Sequence, residues 1–269
     1  MDIKRVMTGV IGLPIVIIIL IFGNQILIDV AFAVIAAMSF HEYSHAFKST
    51  NKAKPLTWIG YLSCILIAFI HIVPNEYFKL IIIAAISLII LFSFSQILIS
   101  KGKYNIVDAS VTLFGIFYIV FFLAFFPIIR GENDGHFLIW YVLIASWGTD
   151  IFAFTFGRLI GKHEFSKISP HKTIEGCVGG TVGAVVCILI YTFVINNYFG
   201  MHINYIAILL KGIILSVLSQ VGDFSASAIK RFVGIKDYSN LIPGHGGMLD
   251  RIDSIIFISP FAYFLLILL

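Results

Sequence analysis

Residues 223–253 gather eight charged side chains, four acids and four bases, into 31 positions of a chain otherwise poor in charge. The acids are Asp223, Asp237, Asp250 and Asp253; the bases are Lys230, Arg231, Lys236 and Arg251. The signs cancel, so the stretch is neither a polybasic tail nor a solvating run, and it has the make-up of a polar site built from both charges. At about 100° per residue, Ser227, Lys230 and Arg231 return to the helical face of Asp223 one and two turns later. That face carries a carboxylate, a hydroxyl and two cations over about 12 Å. Asp250 and Asp253 are three apart and share a face in the same way. Just before them, Gly244-His245-Gly246-Gly247 predicts a tight turn feeding a helix N-terminus, whose N–H groups can cradle phosphate. Carboxylates beside such a cradle suit Mg²⁺, which keeps several waters and takes one or two carboxylates plus substrate phosphate oxygens. An amphipathic cap with Arg251 snorkelling is the plainer account of residues 250–253. A cap, however, needs neither His245, nor the glycine pair, nor Asp223.

A second polar cluster reads Asp150, Arg158, Gly161-Lys162, then Ser169-Pro170-His171-Lys172-Thr173-Ile174-Glu175-Gly176. Asp150 falls within an apolar run, where an ionisable group costs on the order of 2.5–3.5 kcal/mol, so a partner or a polar cavity is expected. Capping a helix break or binding a neighbouring hydroxyl is the alternative. Arg158, Lys162 and Lys172 have the charge to grip a triphosphate or a lipid phosphate; as ordinary basic loop residues they would need no ligand. Lys167 is read in that second way.

His41-Glu42-Tyr43-Ser44-His45 matches H-E-x-x-H, which on a helix sets two imidazoles one turn apart for zinc. Asn133-Asp134-Gly135 supplies the further acid that an intramembrane metalloprotease would need to complete the zinc shell. The apolar spans put roughly one hydrocarbon thickness, about 30 Å, between the two. The preferred reading therefore leaves His41, Glu42 and His45 at the interface beside Lys48, facing lipid headgroups.

The elements that must position these residues are membrane helices. The chain is 59% hydrophobic and only 12% charged, too apolar to cover a soluble surface. Apolar runs near twenty residues long recur, and each spans a hydrocarbon core of about 30 Å as a helix. A transmembrane barrel would show polarity alternating over about ten residues per strand, which these runs do not. The expected fold is an all-α polytopic helical bundle of about nine transmembrane helices, near 6–23, 26–47, 56–73, 78–99, 106–127, 137–157, 177–196, 204–229 and 254–269. Lys4 and Arg5 before the first run imitate a signal peptide, but no small-residue cleavage site follows, so a retained helix is expected. Cys64, Cys177 and Cys187 lack metal-type spacing and read as packing residues. No internal repeat or linker divides the chain. It is read as one membrane domain, with N-terminal helices over 1–130 and catalytic helices and loops over 137–269.

With the N-terminus inside, fifteen of the eighteen Lys and Arg fall on one side, and only Lys79, Arg130 and Lys211 on the other. That bias makes the basic side cytoplasmic. The formal charge of +4 is then accounted for by topology and anionic lipid, and no nucleic-acid partner is expected.

Residues 227–253, from Ser227-Ala-Ile-Lys230-Arg231 through Lys236-Asp237 and Pro243-Gly-His245-Gly246-Gly247 to Asp250-Arg251-Ile-Asp253, resemble the signature of phosphatidate cytidylyltransferases, also called CDP-diacylglycerol synthases. Trp147-Gly-Thr-Asp150, Gly157-Arg158, Gly161-Lys162, Ser169-Pro170 and Lys172-Thr173-Ile-Glu175-Gly176 resemble a second block of that family, so the likeness covers about residues 146–253. Two positions depart from it: His171, where the family often has a second lysine, and Ile174, where it often has tryptophan.

The resemblance implies a nucleotidyltransferase of the inner or plasma membrane that makes CDP-diacylglycerol and pyrophosphate from CTP and phosphatidate. It further implies Mg²⁺, with room for a second cation, a homodimer, and a polar funnel open to the cytosol and the membrane. It assigns Asp223 and Asp250 as metal ligands, with Asp253 and Asp150 as second choices. Lys172, Lys230, Arg231, Lys236 and Arg251 would neutralise phosphate oxygens, and Arg158, Lys162, Ser227, Gly246 and Gly247 complete the substrate-binding set. His245 would meet a phosphate or the cytosine. The nearest competing readings are other CTP-using lipid enzymes, a lipid-alcohol kinase or the archaeal ether-lipid counterpart. A transporter would instead show matched broken spans in two halves, whereas these polar residues crowd into the C-terminal half.

Overall fold

The computed structural model describes residues 14–166, 169–241 and 246–268. Helix α1 covers 14–22. It is followed by α2 (Gln25–Ser49), α3 (Thr57–Ile67) and α4 (Asn75–Ile99), then α5 (Ile106–Gly131) and α6 (Gly135–Ile160). A hairpin of β1 (Glu164–Ser166) and β2 (Ser169–Thr173) leads into α7 (Ile174–Tyr198) and α8 (Tyr205–Val233), and α9 (Leu249–Leu268) ends the described chain. The all-helical expectation holds apart from this hairpin, which pairs Glu164 with Thr173 in antiparallel register.

Seven of these helices, α2 and α4 to α9, are long and apolar enough to cross a bilayer. The count of about nine is not reached among the described residues. The expected first span, 6–23, lies partly outside them. The expected third span, 56–73, stops as a helix at Ile67, and its 11 residues rise only about 16 Å. Short turns close residues 68–73, where His71 Nδ1 meets the buried carboxylate of Asp29 at 2.9 Å. A hydropathy average hides such a polar tie. The chain is a multi-pass membrane protein.

The chain divides into two compact units, residues 1–131 with 232–252, and residues 132–231 with 253–269. In the first, α2 buries Phe40, Tyr43 and Phe47. Helix α3 docks there because it offers Gly60, where a Cβ would fall 1.9 Å from the Phe40 ring. Asn105 and Asp108 form a capping box at the start of α5. Asp108 also accepts from Lys54 N at 2.6 Å, and Thr112 Oγ1 from Leu56 N at 2.8 Å, which ties the α2–α3 connection to α5.

In the second unit, α6 and α7 approach at the level of their backbones. A Cβ on Gly180 would lie 2.8 Å from Thr149 O and 2.9 Å from Ala153 Cβ, the close approach that small residues allow where both helix and lipid are apolar. A polar ladder then links α8 to this pair. Thr149 Oγ1 meets Ser216 Oγ at 2.7 Å, Ser216 donates to Thr181 Oγ1 at 3.2 Å, and Gln220 Nε2 donates to Thr181 Oγ1 at 3.0 Å. Overpacking such a contact costs about 1–3 kcal/mol. Gly180→Leu is accordingly expected to lower the thermal-unfolding midpoint of the detergent-solubilised protein, and an unchanged midpoint would show that the α6–α7 contact is looser than described.

Candidate active site

Within the second unit the acids of two helices meet because α8 and α9 touch at a glycine. A Cβ on Gly222 would lie 2.6 Å from Phe257 Cβ and 3.1 Å from Asp253 O. The next residue, Asp223, is thereby held beside the first half of α9. Asp253 is 8% exposed and takes Ser254 N on Oδ1 at 2.8 Å. The carboxylates of Asp223 and Asp150 and the ammonium of Lys230 all lie within electrostatic range of it. Asp150 sits just past a wide π-type turn at Ile144–Gly148, a local irregularity that re-aims the side chains following it.

The hairpin delivers a counter-charge. Lys172, on β2, pairs its ammonium with Asp223 Oδ2, and the same Nζ lies 4.4 Å from the centroid of the Phe224 ring, a cation–π contact. Phe224 in turn stacks on Phe165 of β1 at 4.7 Å. The base of the hairpin is closed by Glu175, which accepts from His163 Nδ1 at 2.6 Å, Lys162 N at 3.2 Å and His163 N at 3.3 Å. Thr173 caps α7 through Gly176 N at 3.1 Å. Lys172 is therefore carried by a structured two-strand element and not by a free loop.

The signature loop belongs to the first unit. Asp250 Oδ2 accepts from Tyr238 N at 2.9 Å and from Gly247 N at 3.0 Å. Glu42, on α2, accepts from Ser239 Oγ at 2.6 Å, Met248 N at 2.9 Å and Leu249 N at 2.8 Å. Gly246 has φ +83°, a left-handed conformation that favours glycine. A Cβ on Gly247 would lie 2.5 Å from Glu42 Oε2. Gly247 N, Met248 N and Leu249 N, just before and at the start of α9, donate to carboxylates of the chain itself.

Asp150, Lys172, Asp223, Lys230 and Asp253 are brought together in the second unit. Arg158, Lys162 and Arg231 are exposed and Ser227 half-buried there. Asp250, Lys236, Arg251, Gly246 and Gly247 fall in the first unit, with Lys236 and Arg251 exposed. His245 and Lys167 lie outside the described residues. Among the described residues no group of three or more His, Cys, Asp or Glu is gathered to hold a metal by itself. The donor set around Asp253 nevertheless fits Mg²⁺, which needs only one or two carboxylates when substrate oxygens and water complete its shell.

The model of the cytidylyltransferase family matches residues 3–269. The chain belongs to the cytidylyltransferase family. Among its relatives in this family, the phosphatidate cytidylyltransferase of Staphylococcus epidermidis is 33% identical over 267 residues, covering 98% of each chain. That of Staphylococcus haemolyticus is 35% identical over 271 residues with the same coverage. That of Bacillus subtilis is 42% identical over 159 residues, 59% of this chain and 58% of the relative. The family match runs through the N-terminal helices that the signature blocks leave out.

Sequence reasoning missed Glu42 as a partner of the signature loop. It was expected at the interface facing lipid headgroups, but it is 4% exposed and turned toward Ser239, Met248 and Leu249. The available signal was an acid at the end of an apolar span, which should have a protein partner by the argument applied to Asp150. His41, by contrast, is exposed and meets Tyr61 OH through Nδ1 at 2.6 Å.

Removing the carboxylate that takes two backbone N–H groups leaves both buried donors unmet, at about 1–3 kcal/mol each. Asp250→Ala is expected to speed tryptic cleavage after Lys236 at least about threefold, read by mass spectrometry. Cleavage at the wild-type rate would mean that these bonds do not hold the loop.

Proposed function

We propose that this chain transfers the cytidylyl group of CTP to phosphatidate, giving CDP-diacylglycerol and pyrophosphate for phospholipid synthesis, with its polar site facing the cytoplasm. The observation that carries the reading is the meeting of Asp150, Asp223 and Asp253 with Lys172 and Lys230 in a member of this family. Competing CTP-using lipid enzymes are not favoured, because the relatives matching nearly end to end are phosphatidate cytidylyltransferases. The zinc-protease reading loses its general base, since the Glu42 carboxylate is directed to the signature loop.

In the reaction, an oxygen of the phosphatidate phosphate attacks the α-phosphorus of CTP. The new P–O bond forms as the bond from that phosphorus to the bridging oxygen breaks, and pyrophosphate departs in line. Such a transfer rests on positioning and charge neutralisation and needs no protein nucleophile. A divalent ion, held by one or two carboxylates drawn from Asp223, Asp253 and Asp150, would supply charge neutralisation between the two anionic reactants. Lys172 and Lys230 would meet phosphate oxygens in this reading, and Lys172 would exchange its bond to Asp223 for one to substrate. Within the second unit, Arg158 and Lys162 are exposed cations that would meet the triphosphate tail or the lipid headgroup. In this reading Asp250, Gly246 and Gly247 act through the shape of the signature loop. On the nine-span reading of the sequence, the lopsided distribution of Lys and Arg supports cytoplasmic access from the inner or plasma membrane, and the family resemblance supports a homodimer.

The test is the transfer assay in lipid vesicles with CTP and phosphatidate omitted in turn. Product is expected only when both are present and Mg²⁺ is supplied; formation undiminished by EDTA would defeat the metal assignment. Asp223→Asn is expected to reduce turnover about a hundredfold or more through lost charge at the phosphate site, and near-normal turnover would remove Asp223 from the catalytic set.

A further inference from the structure

We infer that Glu42, in a helix far upstream of the signature, is a positioning residue for the transfer reaction: it fixes Ser239 on one side of the signature loop and Met248 and Leu249, at the start of α9, on the other. The inference rests on the proposed function for what the loop does, but the tether itself is geometric. Three donors converge on one buried carboxylate, a hydroxyl from Ser239 and the backbone N–H groups of Met248 and Leu249. These donors bracket the loop, one near its beginning and two at its end. Gly247 is where that contact could not tolerate a side chain, since a Cβ would fall 2.5 Å from Glu42 Oε2. The residue following the two N–H donors is Asp250, which closes the loop from inside through Tyr238 N and Gly247 N. The loop is thus held by one carboxylate of its own and one from α2.

The chemistry at Glu42 is specific to a carboxylate. All three partners donate, and the two oxygens of an ionised acid accept all three. Glutamine keeps the shape but has one accepting oxygen, and its NH₂ would face a donor. The charge itself suits the place, because free N–H groups at a helix start favour an anion. Glutamate is needed also for reach, since aspartate is one methylene shorter. His41 and His45, the other fixed members of the H-E-x-x-H pattern, are exposed. The pattern therefore carries one inward acid between two outward imidazoles, and only the acid bears on the loop.

The test uses the full chain in lipid vesicles, in a background where Cys64, Cys177 and Cys187 are replaced by Ala, with a nitroxide attached through Leu241→Cys. Leu241 is 53% exposed and lies within the loop. Three changes are compared: Glu42→Gln, Ser239→Ala and His41→Ala. Misplacing a reacting geometry from outside the chemistry costs up to about a hundredfold, and Glu42→Gln is expected to lose about thirty- to a hundredfold in turnover while its nitroxide becomes more mobile. Ser239→Ala, which removes one of three donors, is expected to lose about three- to tenfold with a smaller gain in mobility. His41→Ala should match the background in both measurements. Glu42→Gln within about threefold of the background, or slow with an unchanged nitroxide spectrum, would overturn the inference. Should Glu42→Gln fail to fold, Ser239→Ala decides: slower with a looser loop supports the inference, and background values on both measurements overturn it. Should the background protein itself make no CDP-diacylglycerol, the proposed function fails, and the nitroxide comparison alone decides whether Glu42 holds the loop.

Discussion

A carboxylate withdrawn from water must be given donors or a cation, because its desolvation is otherwise far more costly than folding can offset. Among the described residues five acids are buried, namely Asp29, Glu42, Asp108, Asp250 and Asp253, and the way they are satisfied explains much of the local architecture. Asp108 holds the α2–α3 connection and caps α5. Glu42 and Asp250 together hold the signature loop. Asp29 gathers Gln25 and His71 at 3.0 and 2.9 Å. In a chain with so few charges, each buried acid becomes a fixed point around which polar backbone is arranged. Backbone N–H groups suit this use because they carry no net charge and are already part of the loop to be held.

The second constraint is how closely helices can approach without a hydrophobic driving force between them. In lipid, association depends on packing and on hydrogen bonds between helices. Gly180 allows α6 and α7 to meet at backbone distance, and Gly222 does the same for α8 and α9. The consequence at Gly222 is chemical as well as structural, because its neighbour Asp223 is brought within electrostatic range of Asp253. A bulkier residue there would push Asp223 away from Asp253.

The hairpin shows how a mobile counter-charge is put on a firm support. Lys172 is the most consequential cation of the second unit, since it pairs with Asp223 and also covers Phe224. Its strand is stabilised by pairing with β1, by Glu175 across the hairpin base, and by the Thr173 cap of α7. The Lys172–Asp223 pair keeps an acid neutralised when no substrate phosphate competes for the lysine.

Much of this was legible in residue order. Runs of apolar residues near twenty long identify membrane helices because only a helix satisfies its own backbone in hydrocarbon, and the clustering of acids with lysines over 150–176 and 223–253 marks where polar chemistry sits. Two things were not legible. The third apolar run ends as a helix at Ile67, and beyond it His71 meets Asp29, 42 residues away, a contact that no local average contains. The partner of the signature loop proved to be Glu42, about two hundred residues upstream in a motif that suggested zinc. Composition and spacing thus determined the class of protein, the helical elements and the residue types of the site, since these depend on local hydropathy and helical periodicity. Only tertiary structure decided which acids meet and which N–H groups are already taken, since the donors that satisfy a buried charge come from whichever segments the fold brings beside it.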